Sequence, residues 1–259
     1  MDGEPGVVIR DAPSLPEYLP DPGTLHLWIV DLTMPWCDAL ADSGLASEVE
    51  RRRAERMATE ELKHRLLARR AVLRLILARY LGQDPESVEV VAAPGGKPVL
   101  LPRGASLGEA AGKTAGERTA STFPFSVGHS GDLYGVAVGT SASVGFDIER
   151  RRGVPRAEAI ARRWFGPEEA RILDGLQGEE LEREFMRLWT GKEALAKRHG
   201  AGLRLMMRGD VEELDTARAE REGRLRWLTP RSGYHVSVAS DAPIRTVALV
   251  IPEDDGWTR

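Results

Sequence analysis

The chain has 259 residues, of which 42% are hydrophobic and 29% charged, a composition that suits a soluble globular protein of one large domain or two smaller ones. No run of about eighteen apolar residues is present to cross a membrane, and a formal net charge of −4 argues against a general affinity for nucleic acid. Cys37 is the single cysteine, which forbids an internal disulfide and a cysteine-cluster metal site. With an acidic, proline-bearing N-terminus that lacks the regions of a signal peptide, this points to a cytoplasmic protein.

Residues 25–32, Leu-His-Leu-Trp-Ile-Val-Asp-Leu, read as an opening strand, followed by a loop that carries Pro35. Thr59 is placed as an N-cap with Glu60 and Glu61 in the first turn of a helix. Leu62, Leu66, Leu73, Ile76, Leu77 and Tyr80 make its apolar stripe, and Gly82 ends it. From Arg51 to Arg74 nine Lys or Arg stand against three Glu, a run that is either the solvated face of a helix or an anion-binding surface. Val88 to Ala92 and Pro98 to Leu101 suggest a short hairpin around Pro94-Gly95-Gly96, and residues 103–122, rich in Gly, Ala, Ser and Thr, read as a flexible loop or linker. Further strands are expected at about 123–128, 134–139 and 143–149, helices at about 155–164, 167–175 and 179–198, and strands near 224–229, 233–239 and 244–251. Each half of the chain, 1–122 and 123–259, runs from strand to helix to strand, which gives an α/β (α+β) fold class, although the sequence shows no repeat that aligns the two.

Two segments carry the chemistry. In Val144-Gly145-Phe146-Asp147-Ile148-Glu149, apolar residues alternate with Asp147 and Glu149, so on a strand both carboxylates project from one face, as half of a hard-cation site would require. Arg150, Arg151, Arg152, Arg156, Arg162 and Arg163 crowd behind them. In the second, Leu181, Phe185, Leu188, Trp189, Leu195 and Ala196 recur at helical spacing, with Glu193 and Lys197 sharing a face beside the apolar stripe.

The second segment reads Trp189-Thr190-Gly191-Lys192-Glu193-Ala194-Leu195-Ala196-Lys197, and together with the first it resembles the two signatures of the surfactin-type 4'-phosphopantetheinyl transferases, (V/I)-G-(I/V)-D-x-E and (F/W)-(S/T/C)-x-K-E-(A/S)-x-x-K. Gly96-Lys97-Pro98, Phe125-Ser126-Val127-Gly128-His129-Ser130-Gly131 and Gly200-Ala201-Gly202-Leu203 stand where that family has weaker motifs, so the resemblance spans roughly residues 25 to 240. One departure is Gly128, where the family commonly has serine, so that a hydroxyl contact to the ligand is missing or is replaced by a backbone N–H.

The resemblance implies two similar half-domains related by a pseudo-twofold with a ligand cleft between them. It implies a monomer, since fused halves need no partner to complete the site. It also implies transfer of the 4'-phosphopantetheine arm of coenzyme A to a serine of an apo acyl or peptidyl carrier protein, releasing adenosine 3',5'-bisphosphate. Mg²⁺ would be held by Asp147, Glu149 and Glu193, and Lys197 would stabilise the leaving phosphate, with Lys192 as a second phosphate ligand. Glu193 and Glu169 are the candidate bases, Glu169 being equally readable as a first-turn helix acid after Pro167. His129 and the cluster from Arg51 to Arg56 would hold the ribose phosphate, and Lys97 and Pro98 would border the adenine. Arg198, Leu203, Arg204, Met206, Met207 and Arg208 either dock the carrier or form a helix end with part of the core.

Two other functions use similar residues. A Mg²⁺-dependent nuclease or phosphohydrolase is disfavoured by the lack of a basic track for a long polyanion. A non-catalytic module that holds an acidic partner on residues 51–74 is disfavoured by three acids gathered without a cation to offset their repulsion.

Overall fold

The structure, a computed structural model, describes residues 16–93, 96–101, 123–155, 157–200 and 214–253. The expected linker at 103–122, the turn at Pro94-Gly95 and the segment from Leu203 to Arg208 lie outside the described residues. The fold is mixed α/β. Strand β1 (Thr24–Asp31) lies between β5 (Leu133–Val138), to which it is antiparallel, and β9 (Thr246–Val250), to which it is parallel, with β4 (Phe125–Ser130) on the far side of β5. β1 therefore comes from the first half of the sequence and its sheet partners from the second. A strand buried on both faces needs an almost unbroken apolar run, which Leu25 to Val30 supplies.

Alternation along β1 sorts its side chains into two cores. Trp28 and Val30 pack with Leu73, Ile76 and Leu77 of α3 (Glu60–Leu81). Leu25, Leu27 and Ile29 pack with Val144, Phe146 and Ile148 of β6 (Val144–Arg150) and with Val236 and Val238 of β8 (Tyr234–Ser240). β6, β8 and β7 (Leu225–Leu228) form a second sheet, whose far side meets the helix we number α6 (Gly178–His199) through Leu225, Ala239, Ala194, Leu195 and Ala196. β2 (Val90–Ala92) and β3 (Pro98–Leu100) make the expected hairpin.

The capping expected for α3 is present: the Thr59 hydroxyl accepts from the Leu62 N–H at 3.2 Å, and Gly82 takes the left-handed conformation after the last turn. Leu62 does not join the apolar stripe, being 47% exposed, and the buried run starts at Leu66. The loop expected after β1 is instead helix α1 (Pro35–Ala41), since a proline in the first turn has no helical hydrogen bond to lose. Helix α2 (Glu48–Ala54) opens on a capping box, with Ser47 and Glu50 each taking the other's backbone N–H. Helices α4 (Ala157–Trp164) and α5 (Pro167–Leu173) pack on α6 through Ala161, Phe165, Leu173 and Phe185, and α7 (Thr216–Arg221) follows. Among the described residues no helix is long and apolar enough to cross a membrane.

Candidate active site

A missing side chain sets the distance between β6 and α6. A Cβ on Gly145 would lie 1.8 Å from the Ala194 carbonyl oxygen and 2.6 Å from the Arg198 nitrogen, so strand and helix are in backbone contact there. β6 turns Val144, Phe146 and Ile148 into the central core, which leaves Gly145, Asp147 and Glu149 on the other face. Phe146 also explains the departure at 128: a Cβ there would stand 3.1 Å from its ring and 3.3 Å from Lys197 Nζ, and one on Gly135, which pairs with Gly128, would stand 2.3 Å away. The two glycines make room for one aromatic ring.

Asp147 is 6% exposed. Its Oδ1 accepts a hydrogen bond from Lys197 Nζ at 2.7 Å, and the same ammonium donates to the Val127 carbonyl at 3.3 Å. Asp147 Oδ2 is buried and has no hydrogen-bond partner among the described residues. Burial pushes the Asp147 carboxyl up to about 6 against the attraction of Lys197, and Glu149 adds to the rise. Glu193 is pushed up to about 7, first by burial and then by Asp147 and Glu149, with Lys197 opposing. Glu149 accepts from the Ser130 hydroxyl at 2.7 Å, and that hydroxyl accepts from the Arg150 N–H at 3.0 Å.

The three acids sense one another, but among the described residues no group of three or more His, Cys, Asp or Glu is arranged to close on a metal ion. The ammonium of Lys197 stands beside Asp147 instead. All-oxygen donors, a buried carboxylate oxygen without a partner and two acids held above their ordinary range fit a hard divalent cation.

A second set is cationic. His129, exposed at the end of β4, is pulled down to about 4 by partial burial and then by Arg69, Lys197 and Arg70. Arg69 of α3 is held below the ordinary arginine range by burial, with Tyr134 opposing and Arg70, Arg65 and Arg53 adding to the fall. By contrast Arg70 and Arg74 are tied to Glu50 at 3.3 and 2.9 Å. Arg69, not singled out from the sequence, and Arg53, one of the expected cluster from Arg51 to Arg56, thus join His129 in a positive region; the signal for Arg69 was the four-residue step from Arg65 inside the basic run.

Several expected site residues have other tasks. Arg51 donates to the Ala46 carbonyl and pairs with Glu48, while Arg56 is exposed beyond α2, and the cations acting most strongly on His129 lie elsewhere. Lys97 donates to the carbonyls of Val144 and Lys197, both at 2.9 Å, which ties the hairpin to β6 and to the negative end of α6, and Pro98 opens β3 opposite Ala92. Lys192 and Glu169 form a closed internal pair at 2.7 Å, with side chains 0% and 2% exposed. Lys192 also donates to the Leu214 carbonyl. Glu169 accepts from the Thr216 hydroxyl at 2.7 Å and the Gly166 N–H at 2.8 Å. Adjacent helix residues point about 100° apart, so Lys192 cannot share the direction of Glu193.

Residues 143–251 match the family described as the 4'-phosphopantetheinyl transferase superfamily. Over 245 residues the chain is 30% identical to the 4'-phosphopantetheinyl transferase HetI of Nostoc sp., with 92% of this chain and 90% of that protein covered. It is 31% identical over 154 residues to the 4'-phosphopantetheinyl transferase psf-1 of Bacillus pumilus, 58% of each chain. To a 4'-phosphopantetheinyl transferase of Bacillus subtilis it is 29% identical over 161 residues, 61% of this chain and 62% of the other.

Proposed function

The chain belongs to the 4'-phosphopantetheinyl transferase superfamily, and from that premise we propose that it is a surfactin-type enzyme that moves the arm of coenzyme A to a serine of an apo acyl or peptidyl carrier protein with the help of Mg²⁺. The observation that carries this reading is the ion pair of Lys197 with the buried Asp147 where β6 touches α6, with Glu149 and Glu193 acting on the same charge.

The serine oxygen forms a bond to the phosphorus that bears the pantetheine arm, and the bond from that phosphorus to the bridging diphosphate oxygen breaks, releasing adenosine 3',5'-bisphosphate. Little covalent help is needed; positioning and stabilisation of charge on the phosphate oxygens are. Asp147, Glu149 and Glu193 would hold the ion, which when bound supplies Lewis-acid stabilisation of the diphosphate. Lys197 would meet the charge that develops on the departing phosphate. Glu193 is the better placed of the two candidate bases, because the carboxylate of Glu169 is already engaged by Lys192, Thr216 and Gly166. The ribose phosphate is assigned to Arg69, Arg53 and His129.

The cleft between the parts carried by 1–122 and 123–259, their pseudo-twofold relation, a monomeric state and a cytoplasmic location belong to the same proposal. The test is intact-protein mass spectrometry of apo acyl and peptidyl carrier domains incubated with coenzyme A, Mg²⁺ and this protein. A gain of one phosphopantetheine on the carrier serine is expected; no gain on any of several carriers sinks the reading.

A further inference from the structure

Lys197 already has a partner before any phosphate arrives. Its ammonium lies on Asp147 Oδ1 at 2.7 Å, with 27% of the lysine side chain and 8% of the aspartate exposed, and it also touches the Val127 carbonyl. It acts at once on Asp147, Glu193 and His129, so it stands between the acidic group and the positive region. The second oxygen of Asp147 is buried and without a hydrogen-bond partner among the described residues. A divalent ion approaching that oxygen would face the ammonium as a like charge in a partly dry site, where repulsion is poorly screened. A diphosphate entering from the side of His129 would offer the same ammonium an anion of higher charge.

We propose that Lys197 is an internal counter-ion that keeps a divalent metal off the carboxylates until an incoming diphosphate draws its ammonium away, so that metal and coenzyme A bind with strong positive coupling. The inference rests on Asp147 and Glu193 being the cation site. Coupling of this kind is reciprocal: whatever factor coenzyme A adds to metal affinity, metal adds to coenzyme A affinity. Removing the ammonium should therefore strengthen metal binding by the free protein, although it removes a charge that the reaction uses.

The experiment is a titration of the full chain with Mn²⁺, followed by the electron paramagnetic resonance of the free ion, at pH 8 so that protons do not compete for the carboxylates, with and without coenzyme A. Wild type should bind Mn²⁺ weakly alone. Lys197→Met and Lys197→Gln should bind it about tenfold or more tightly in the absence of coenzyme A, and gain less on its addition, a factor within the ordinary range of coupling between sites. Lys197→Arg, which keeps the charge, should behave as wild type. Adding Asp147→Asn to Lys197→Met should abolish the tight binding. Unchanged or weaker Mn²⁺ affinity in the neutral variants, with their melting temperatures retained, overturns the proposal, as does tight binding that survives Asp147→Asn. If the expected pattern appears while no carrier is modified, the counter-ion stands and the transferase reading falls; carrier modification with no change in Mn²⁺ affinity does the reverse.

Discussion

Helix α6 supplies the lysines of two lysine–carboxylate pairs, five residues apart, that have the same N···O distance and opposite characters. Lys192 and Glu169 meet at 2.7 Å inside the protein, where Thr216, Gly166 and Leu214 complete the set of donors and acceptors. Lys197 and Asp147 also meet at 2.7 Å, but the lysine is partly open to solvent and one carboxylate oxygen is left over. A buried pair whose partners are all supplied behaves as a strut between α5, α6 and α7. A pair left incomplete keeps capacity for something else.

The largest effect should come from breaking the incomplete pair. Asp147→Ala is expected to lower carrier modification about a thousandfold or more, a loss typical of removing a group that stabilises the transition state, while the urea midpoint stays near that of wild type. Initial rates by mass spectrometry, with a denaturation curve on the same sample, check both halves. The closed pair should respond in the opposite sense. Lys192→Ala leaves a buried carboxylate without its cation, at a cost of about 3–5 kcal/mol in stability, and Lys192→Met with Glu169→Leu should recover most of it. If Lys192→Ala were as stable as wild type yet inactive, the pair would belong to the chemistry after all.

A smaller effect sharpens the contrast between tied and untied cations. Arg69→Ala should narrow the preference for coenzyme A over 3'-dephospho-coenzyme A by about 10- to 100-fold, the scale of one charge-assisted hydrogen bond. Arg74→Ala, which removes a cation already held by Glu50, should leave that ratio nearly unchanged. Calorimetric titration with both ligands measures it.

The smallest effect is on pH dependence. His129 is held at about 4 in the folded chain, against about 6.5 in an unfolded one. Between those values the unfolded state binds more protons, so this group costs stability as pH falls from about 6.5 towards 4 and costs nothing above that window. Because the side chain is exposed, water screens much of the effect. His129→Gln should make the urea midpoint slightly less sensitive to acidification from pH 7 to pH 5.

The elements that carry the two pairs could be read from the sequence, but not the contrast between the pairs. Alternation in Val144 to Glu149 fixes which side chains face away from the core, and the spacing of Glu193 and Lys197 puts them on one helix face; the structure pairs Lys197 with Asp147. Thr59 and Gly82 bound α3 as their chemistry demands. What composition and spacing do not reveal is which charges already have partners. Within the basic run, Arg70 and Arg74 are neutralised by Glu50, a residue on another helix, and Arg69 is not, a difference that depends on tertiary contacts. Lys192 and Glu169 fall inside motif-like segments, yet only the packing of α5, α6 and α7 shows that they satisfy each other. Helix α2 had a legible start in Ser47-Glu48-Val49-Glu50, whereas α1 was obscured by Pro35 and its brevity.

The backbone contact at Gly145 makes the site adjustable in one direction only. Because the strand and helix already meet main chain to main chain, no substitution there can bring Asp147 and Glu193 closer. Any other residue would have to displace the Ala194 carbonyl by about an ångström or more, since real Cβ atoms essentially never approach within 3.0 Å and here the separation would be 1.8 Å. The acids can thus be spread but not tightened. Spreading favours a larger ion such as Ca²⁺, which takes oxygens at about 2.3–2.6 Å, over Mg²⁺ at about 2.0–2.1 Å. Choice among metals at this site would then be a property of an absent side chain rather than of the ligands themselves.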